Sequence, residues 1–185
     1  MFLCRVVDKQ KTKKCQRLNH TYALDFGQPI VFDLKQDYRM SDGEASSFVQ
    51  QMRGVYAANR TMWEPFQLHL CGYDPGLPGM RDLVESEQSR HYLWNVTEDC
   101  FSRLFPRERL VYLSPDAPEL ASEWRHDDVY VIGGVVDKSD RGGKMTLSKI
   151  KSLGIRSQRF DIDRYFKKRK VIFAFHGVHS ALVAL

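Results

Sequence analysis

The chain has 185 residues, 43% hydrophobic and 28% charged, with a formal net charge of +5; that suits one domain with a real core, and the modest basic excess points toward an anionic partner without deciding one. Cys4, Cys15, Cys71 and Cys100 form no C-x-x-C pair and have no His at zinc-ligand spacing, which argues against a structural zinc site and a disulfide scaffold. There is no run of eighteen apolar residues to span a membrane, and Met1-Phe-Leu-Cys-Arg5 lacks the apolar core of a secretory signal.

Residues 1–20 carry six Lys or Arg against one acid, Asp8. They read as a mobile basic arm or a frayed helix that touches RNA phosphates, or as a plain solvated terminus. Pro29–Leu34 reads as the first core strand. Ser41-Asp-Gly-Glu44 has the form of a capping box, and Phe48, Met52, Val55 and Tyr56 follow on one helical face, with Asn59-Arg60 ending the helix. That stripe is core. Phe66–Cys71 alternates as a second strand. A loop covers 72–79, and a helix is expected from Met80 to Trp94 with a polar middle.

Arg109–Leu113 reads as a third strand, stopped by Ser114-Pro-Asp-Ala-Pro118, and a short helix is expected over Glu119–Trp124. Val129-Tyr-Val-Ile132 is β-branched and aromatic without a charge, as suits a strand covered on both faces. Gly133-Gly134 ends it, either as a simple turn or as a place where a ligand approaches the backbone. Residues 138–144 read as a loop. Thr146 is the expected cap of a helix carrying Leu147, Ile150 and Leu153, and Gly154 is its natural C′ residue. Ile155–Ile162 holds a last strand, 163–170 is basic and helical, and 171–185 is apolar. Strands alternating with helices mean a mainly parallel α/β sheet.

The commonest chemical signatures are missing. Gly133-Gly134 lacks the dinucleotide spacing, Arg141-Gly-Gly-Lys144 is not a Walker loop, and neither G-x-S-x-G nor H-E-x-x-H occurs. His176 and His179 read as a helix-surface pair, so no metal is expected. Arg156, Arg159, Arg164 and Lys167–Lys170 form a basic cluster that either holds a nucleic-acid backbone or is a solvated face.

The segments Leu110–Asp116, Trp124–Ser139, Leu153–Ser157 and Phe160–Asp163 resemble successive motifs of the tRNA purine-9 N1-methyltransferases, SPOUT-class enzymes that use S-adenosylmethionine. The resemblance spans roughly Gln28 to Ile172. Gly27–Asp33, Arg125–Asp127 and Val136–Ser139 are most similar to the mitochondrial branch, the methyltransferase subunit of protein-only ribonuclease P.

What the resemblance implies is specific. The fold is a SPOUT α/β domain over 25–185, with a C-terminal deep trefoil knot and a C-terminal end shorter than the family's, after a basic arm over 1–24. The donor is S-adenosylmethionine, lined by Leu113 and Ser114, then Gly134, Lys138, Ser139, Asp140, Arg141 and Gly142, with Thr146, and closed by Phe160, Lys170, Val171 and Ile172. Asp137 matches the family's general base: guanine N1 carries a proton that must leave as the methyl arrives. RNA contacts are assigned to Gln51, Arg60, Arg156, Arg159, Lys167 and Lys168. The partners implied are tRNA or precursor tRNA, a short-chain dehydrogenase subunit and a nuclease subunit, in the mitochondrial matrix, with nucleus or cytoplasm as the alternative. Ala174-Phe175-His176 departs from the family's polar pattern. That keeps open a scaffold that binds precursor tRNA for 5′-end processing with little methyl transfer.

Overall fold

The computed structural model describes residues 8–35, 40–134 and 141–160. Within them, seven strands make one sheet in the order β3-β2-β1-β6-β4-β7-β5, and every pairing is parallel. The strands are β1 (Pro29–Asp33), β2 (Gln67–Cys71), β3 (Asn95–Thr97), β4 (Leu110–Leu113), β5 (Glu119–Leu120), β6 (Val129–Gly133) and β7 (Arg156–Arg159). The helices are α1 (Lys9–Phe26), α2 (Asp42–Asn59), α3 (Met80–Glu85), α4 (Phe101–Leu104) and α5 (Arg141–Leu153). The expected parallel α/β sheet is present. The deep knot falls on segments outside the described residues.

A parallel strand covered on both faces needs apolar side chains on each. Ile30, Phe32, Leu68, Leu70 and Ile132 point to one side and pack against Phe48, Val49, Met52 and Val55 of α2 and Met80 and Leu83 of α3. Val31, Tyr112, Val129 and Val131 point to the other and meet Phe101 of α4 and Ile150 of α5. The capping box forms as the spacing requires: Ser41 Oγ accepts from the Glu44 N–H, and the Glu44 carboxylate accepts from the Ser41 N–H at 2.9 Å.

Several expectations need correction. Residues 9–26 are one helix crossing the expected boundary at 24. From His20 onward it is docked: His20 and Ala23 are buried, His20 packs on Tyr56, and Gln67 Nε2 donates to the Leu24 carbonyl. The helix expected over 80–94 stops at Glu85. Ser86 is extended, Tyr92 stacks on Tyr56 at 3.8 Å, and Trp94 meets Tyr56 edge-on, so an aromatic cluster draws the chain off the helical path into edge strand β3. Glu119-Leu120 pairs with β7 instead of opening a helix, because Arg159 Nη1 donates to the carbonyls of Ala117 and Pro118 and holds that turn at the sheet edge. Finally, α5 starts at Arg141, so Thr146 lies inside it and is not its cap. Gly154 does close it, with φ +58°.

Candidate functional site

The chain lays β1, β2 and β3 outward in one direction, then starts again on the other side of β1 with β4, and β6 fills the gap between β1 and β4. A reversal of this kind leaves a crevice beyond the carboxyl ends of the strands on either side of it, where open α/β sheets bind ligands. Here the crevice is bounded by the ends of β1, β6, β4 and β7.

The register brings the sequence candidates to it. Asp33 pairs with Gly133, and Leu113 pairs with both Ile132 and Gln158. Leu113, Gly134 and Phe160 therefore sit at or just past the ends of adjoining strands. Ser114 is 4% exposed and its N–H donates to the Gln158 carbonyl at 3.0 Å. Its hydroxyl accepts from the Asp116 N–H at 3.3 Å, and the Ala117 N–H returns to the Ser114 carbonyl at 3.1 Å, which closes a tight turn. Leu113 and Phe160 are half-buried.

Gly134 is the tightest point. Its N–H donates to the Asp33 carbonyl at 2.8 Å. A Cβ at this position would lie 2.8 Å from Leu34 Cδ2 and 2.9 Å from the Asp33 carbonyl oxygen. Only a backbone without a side chain passes there.

Beneath the crevice lies a polar group that the sequence reading missed. Asp33, fully buried, accepts through Oδ2 from Lys149 Nζ at 2.5 Å and from the Tyr112 hydroxyl at 3.1 Å. Lys149 also donates to the Lys35 carbonyl at 2.6 Å and stands 5.7 Å from the centre of the Phe101 ring. Burial pushes the Asp33 carboxyl up, and the charge and hydrogen bonds of Lys149, with that of Tyr112, pull the other way. The only signal in the sequence was an Asp closing an otherwise apolar strand. A cleft of about 530 Å³ opens alongside at the ends of β1, β2 and β3, lined in part by Lys35, Tyr73, Asp74 and Glu98.

The remaining candidates divide. Thr146 is half-buried in α5, and Arg141 and Gly142 open that helix. Asp137, Lys138, Ser139, Asp140, Lys167, Lys168, Lys170, Val171 and Ile172 lie outside the described residues, as does Phe175-His176. Among the RNA candidates, Gln51 is half-buried on α2 and donates to Ser47 Oγ at 3.1 Å, while Arg60 is exposed at the end of that helix. Arg60 and Arg156 both stand at the amino-terminal end of the sheet, away from the crevice, and Arg159 stands at the carboxyl end, where it pins the 114–118 turn. Among the described residues no group of three His, Cys, Asp or Glu side chains is placed to hold a metal ion.

Known proteins are similar to this chain. A family model described as tRNA (guanine(9)-N(1))-methyltransferase TRM10/TRM10A matches residues 5–183. The human protein named tRNA methyltransferase 10 homolog C is 34% identical over 147 residues, covering 78% of this chain and 36% of its own length. The Drosophila melanogaster protein named mitochondrial ribonuclease P protein 1 homolog is 33% identical over 150 residues, covering 80% of this chain and 33% of its own. The chain thus spans about a third of the length of the first curated relatives it matches. A crystal structure of full-length spTrm10 in complex with SAH superposes with a TM-score of 0.68 at 32% identity, covering 78% of this chain and 79% of that one.

Proposed function

This chain belongs to the TRM10/TRM10A family of tRNA (guanine(9)-N(1))-methyltransferases, and from that premise we propose that it transfers a methyl group from S-adenosylmethionine to N1 of the purine at position nine of tRNA. The observation that carries the reading is Gly134, whose backbone passes over the end of β1 with no room for a Cβ, beside Leu113, Ser114 and Phe160 at neighbouring strand ends. A bare backbone flanked by two half-buried apolar side chains suits a nucleoside held by main-chain hydrogen bonds and apolar contact. The SAH complex of spTrm10 supports the same donor here.

When bound, the donor supplies a methyl group on a sulfonium, which departs as a neutral thioether. The protein's own residues do the rest. Leu113, Ser114 and Gly134 hold one side of the donor, with residues 138–142 and Thr146 on another. Phe160 and residues 170–172 close the adenine side in a C-terminal trefoil knot. Asp137 accepts or orients the N1 proton of guanine. Adenine N1 has no such proton, and there Asp137 only orients the base. Most of the rate comes from holding methyl and N1 in line.

The name of the Drosophila relative supports a place in mitochondrial precursor-tRNA processing. The partners there are a short-chain dehydrogenase subunit and a nuclease subunit, assembled with this chain on precursor tRNA in the matrix.

The test is to incubate the chain with labelled S-adenosylmethionine and transcribed tRNA and to map the label. Methyl at N1 of position nine, lost in Asp137→Asn, is the expected result. Binding of tRNA with no transfer and no heat of donor binding would make the chain a processing scaffold, and label at another nucleotide would overturn the assignment.

A further inference from the structure

We infer that the outward face of α1, with Trp63 beside it, is a second RNA surface, on which unpaired bases of the bound tRNA stack. This goes beyond the transfer site and rests on the reading that the substrate is a tRNA. The face repeats every four residues. Lys14, Leu18, Tyr22 and Phe26 lie in one row along the helix, with Lys11 farther up the same side. Leu18, Tyr22 and Phe26 are 65%, 64% and 69% exposed. The opposite side of α1 carries His20 and Ala23, both buried against the domain. The helix therefore has two apolar sides, and docking to the domain uses one of them.

Trp63 widens the row. It is 86% exposed, and Asn19 Nδ2 donates to its carbonyl at 3.3 Å, which fastens the Trp63 turn to α1. Among the described residues, no other large apolar side chain is as exposed as these four; the next is Leu120 at 46%. Three of the four are rings, and two of them already stack, Tyr22 on Phe26 with centroids 4.5 Å apart and planes 27° from parallel.

Rings alone suit a protein or a nucleobase, and the charges decide between them. Lys11 and Lys14 are exposed and in no ion pair among the described residues, and no acid occurs between Asp8 and Asp25. A second copy of the chain would bring the same cations to the joint, where like charges repel. A nucleic-acid strand supplies both halves of the match, flat faces for the rings and phosphates for the ammonium groups. A base-paired stem hides its base faces, so the occupant is an unpaired stretch.

The surface stands apart from the chemistry. Phe26 lies just before β1 and Trp63 just before β2, so both are at the amino-terminal end of the sheet, whereas the crevice is at the carboxyl end. The five residues of β1 alone span about 16 Å. Stacking at this distance sets how tightly tRNA is held and leaves the transfer step alone.

The experiment compares the parent chain with Tyr22→Gln/Phe26→Gln/Trp63→Gln, which removes the rings, buries nothing and changes no charge, and with Tyr22→Trp/Phe26→Trp, which keeps rings at both helix positions. Affinity is measured for transcribed tRNA, a single-stranded oligoribonucleotide and a blunt RNA duplex, alongside single-turnover transfer at saturating tRNA, S-adenosylhomocysteine binding and sedimentation. We expect the triple variant to lose about tenfold to a hundredfold in affinity for tRNA and for the single strand. Its duplex affinity, salt slope, saturating transfer rate and donor binding stay at the parent's values, and the Trp variant binds all three RNAs as the parent does. A triple variant that holds tRNA and the single strand as tightly as the parent overturns the inference. So does an equal loss on single strand and duplex, which would exclude stacking. So does a parent dimer that the triple variant dissolves at unchanged RNA affinity, which would make the row a face between copies. If the triple variant loses helix content, Trp63→Gln, which lies outside α1, decides by the same comparison. A parent that binds no tRNA overturns the functional reading and this inference with it, a different result from a tRNA-binding parent whose variants are unchanged.

Discussion

Arg156 grips Asp128 with both arms of its guanidinium, Nη2 to Oδ1 at 2.5 Å and Nη1 to Oδ2 at 3.3 Å. Asp128 is 6% exposed and immediately precedes β6, and Arg156 opens β7, so the pair bridges the amino-terminal end of the sheet across β4. The same guanidinium donates to the Glu108 carbonyl at 2.9 Å, and Gln28 Nε2 donates to the Asp128 carbonyl at 2.9 Å. The basic cluster read from the sequence assigned Arg156 to RNA; here both of its Nη atoms are engaged inside the protein.

Arg156→Met is therefore expected to act on stability. It leaves the buried Asp128 carboxylate with only the longer ion pair to Arg125 Nε at 3.9 Å; with the Arg156 side chain 40% exposed and water able to reach the gap, a loss of about 1–3 kcal/mol is expected. A lowered urea midpoint with tRNA affinity within about twofold of the parent fits this account. Weaker tRNA binding at an unchanged midpoint returns Arg156 to the RNA surface.

Gly134→Ala tests the crevice from its tightest point. The new methyl would lie 2.9 Å from the Asp33 carbonyl oxygen, a backbone atom that cannot swing aside, and 2.8 Å from Leu34 Cδ2. Overpacking of this kind costs about 1–3 kcal/mol, and the shift falls on the strand end assigned to the donor in the proposed function. A lower thermal midpoint together with weakened S-adenosylhomocysteine binding is the expected pair of results. Unchanged donor affinity would place the donor elsewhere.

Local signals in the sequence were enough wherever a segment's neighbours agreed with its own pattern. β1, β2, β4 and β6 and the capped helix α2 lie within a residue or two of their expected bounds, because alternation and capping are decided over a few residues. The short elements were not legible. β5 exists because Arg159 holds the turn before it, and α3 stops early because Tyr92 stacks on Tyr56 and Trp94 meets it edge-on, contacts made across tens of residues. The same holds at the site. Leu113, Ser114, Gly134 and Phe160 came from motif resemblance, and the sheet register brings them together. Asp33 and Lys149 are 116 residues apart in the chain, and no spacing rule connects them.

His69 sets an acid limit on stability. It sits half-buried in β2, edge-on to Phe105 at 5.0 Å, and burial lowers its pKa from 6.5 to about 4. The unfolded chain takes up that proton near pH 6.5, whereas the folded chain resists until about pH 4. The contribution is thus complete above pH 6.5 and is lost as the pH falls toward 4, by on the order of 2 kcal/mol once partial exposure is discounted. His20 is shifted the same way, by burial first and Arg60 second, while Asp33, pushed up by burial, works in the opposite direction. In His69→Gln the urea midpoint should fall less between pH 7 and pH 4.5 than in the parent. An equal fall in both would assign the acid sensitivity to other groups.

The amino-terminal helix carries the last prediction. Lys11, Lys13, Lys14 and Arg17 of α1 are exposed, the only acids from 8 to 26 are Asp8 and Asp25, and no ion pair among the described residues engages those four cations. Farther along, Tyr22 and Phe26 stack on each other at 4.5 Å with 64% and 69% exposure. Such a surface draws a phosphate backbone, and each phosphate neutralised releases bound counterions. Replacing the four cations by Gln keeps a good helix former at each site and touches no buried group, so helix content by circular dichroism should hold. The affinity for tRNA should fall, and the slope of log affinity against log salt should flatten by about 0.7–0.9 for each phosphate that the helix no longer neutralises. Affinity and slope both unchanged would mean that these four cations do not meet the RNA.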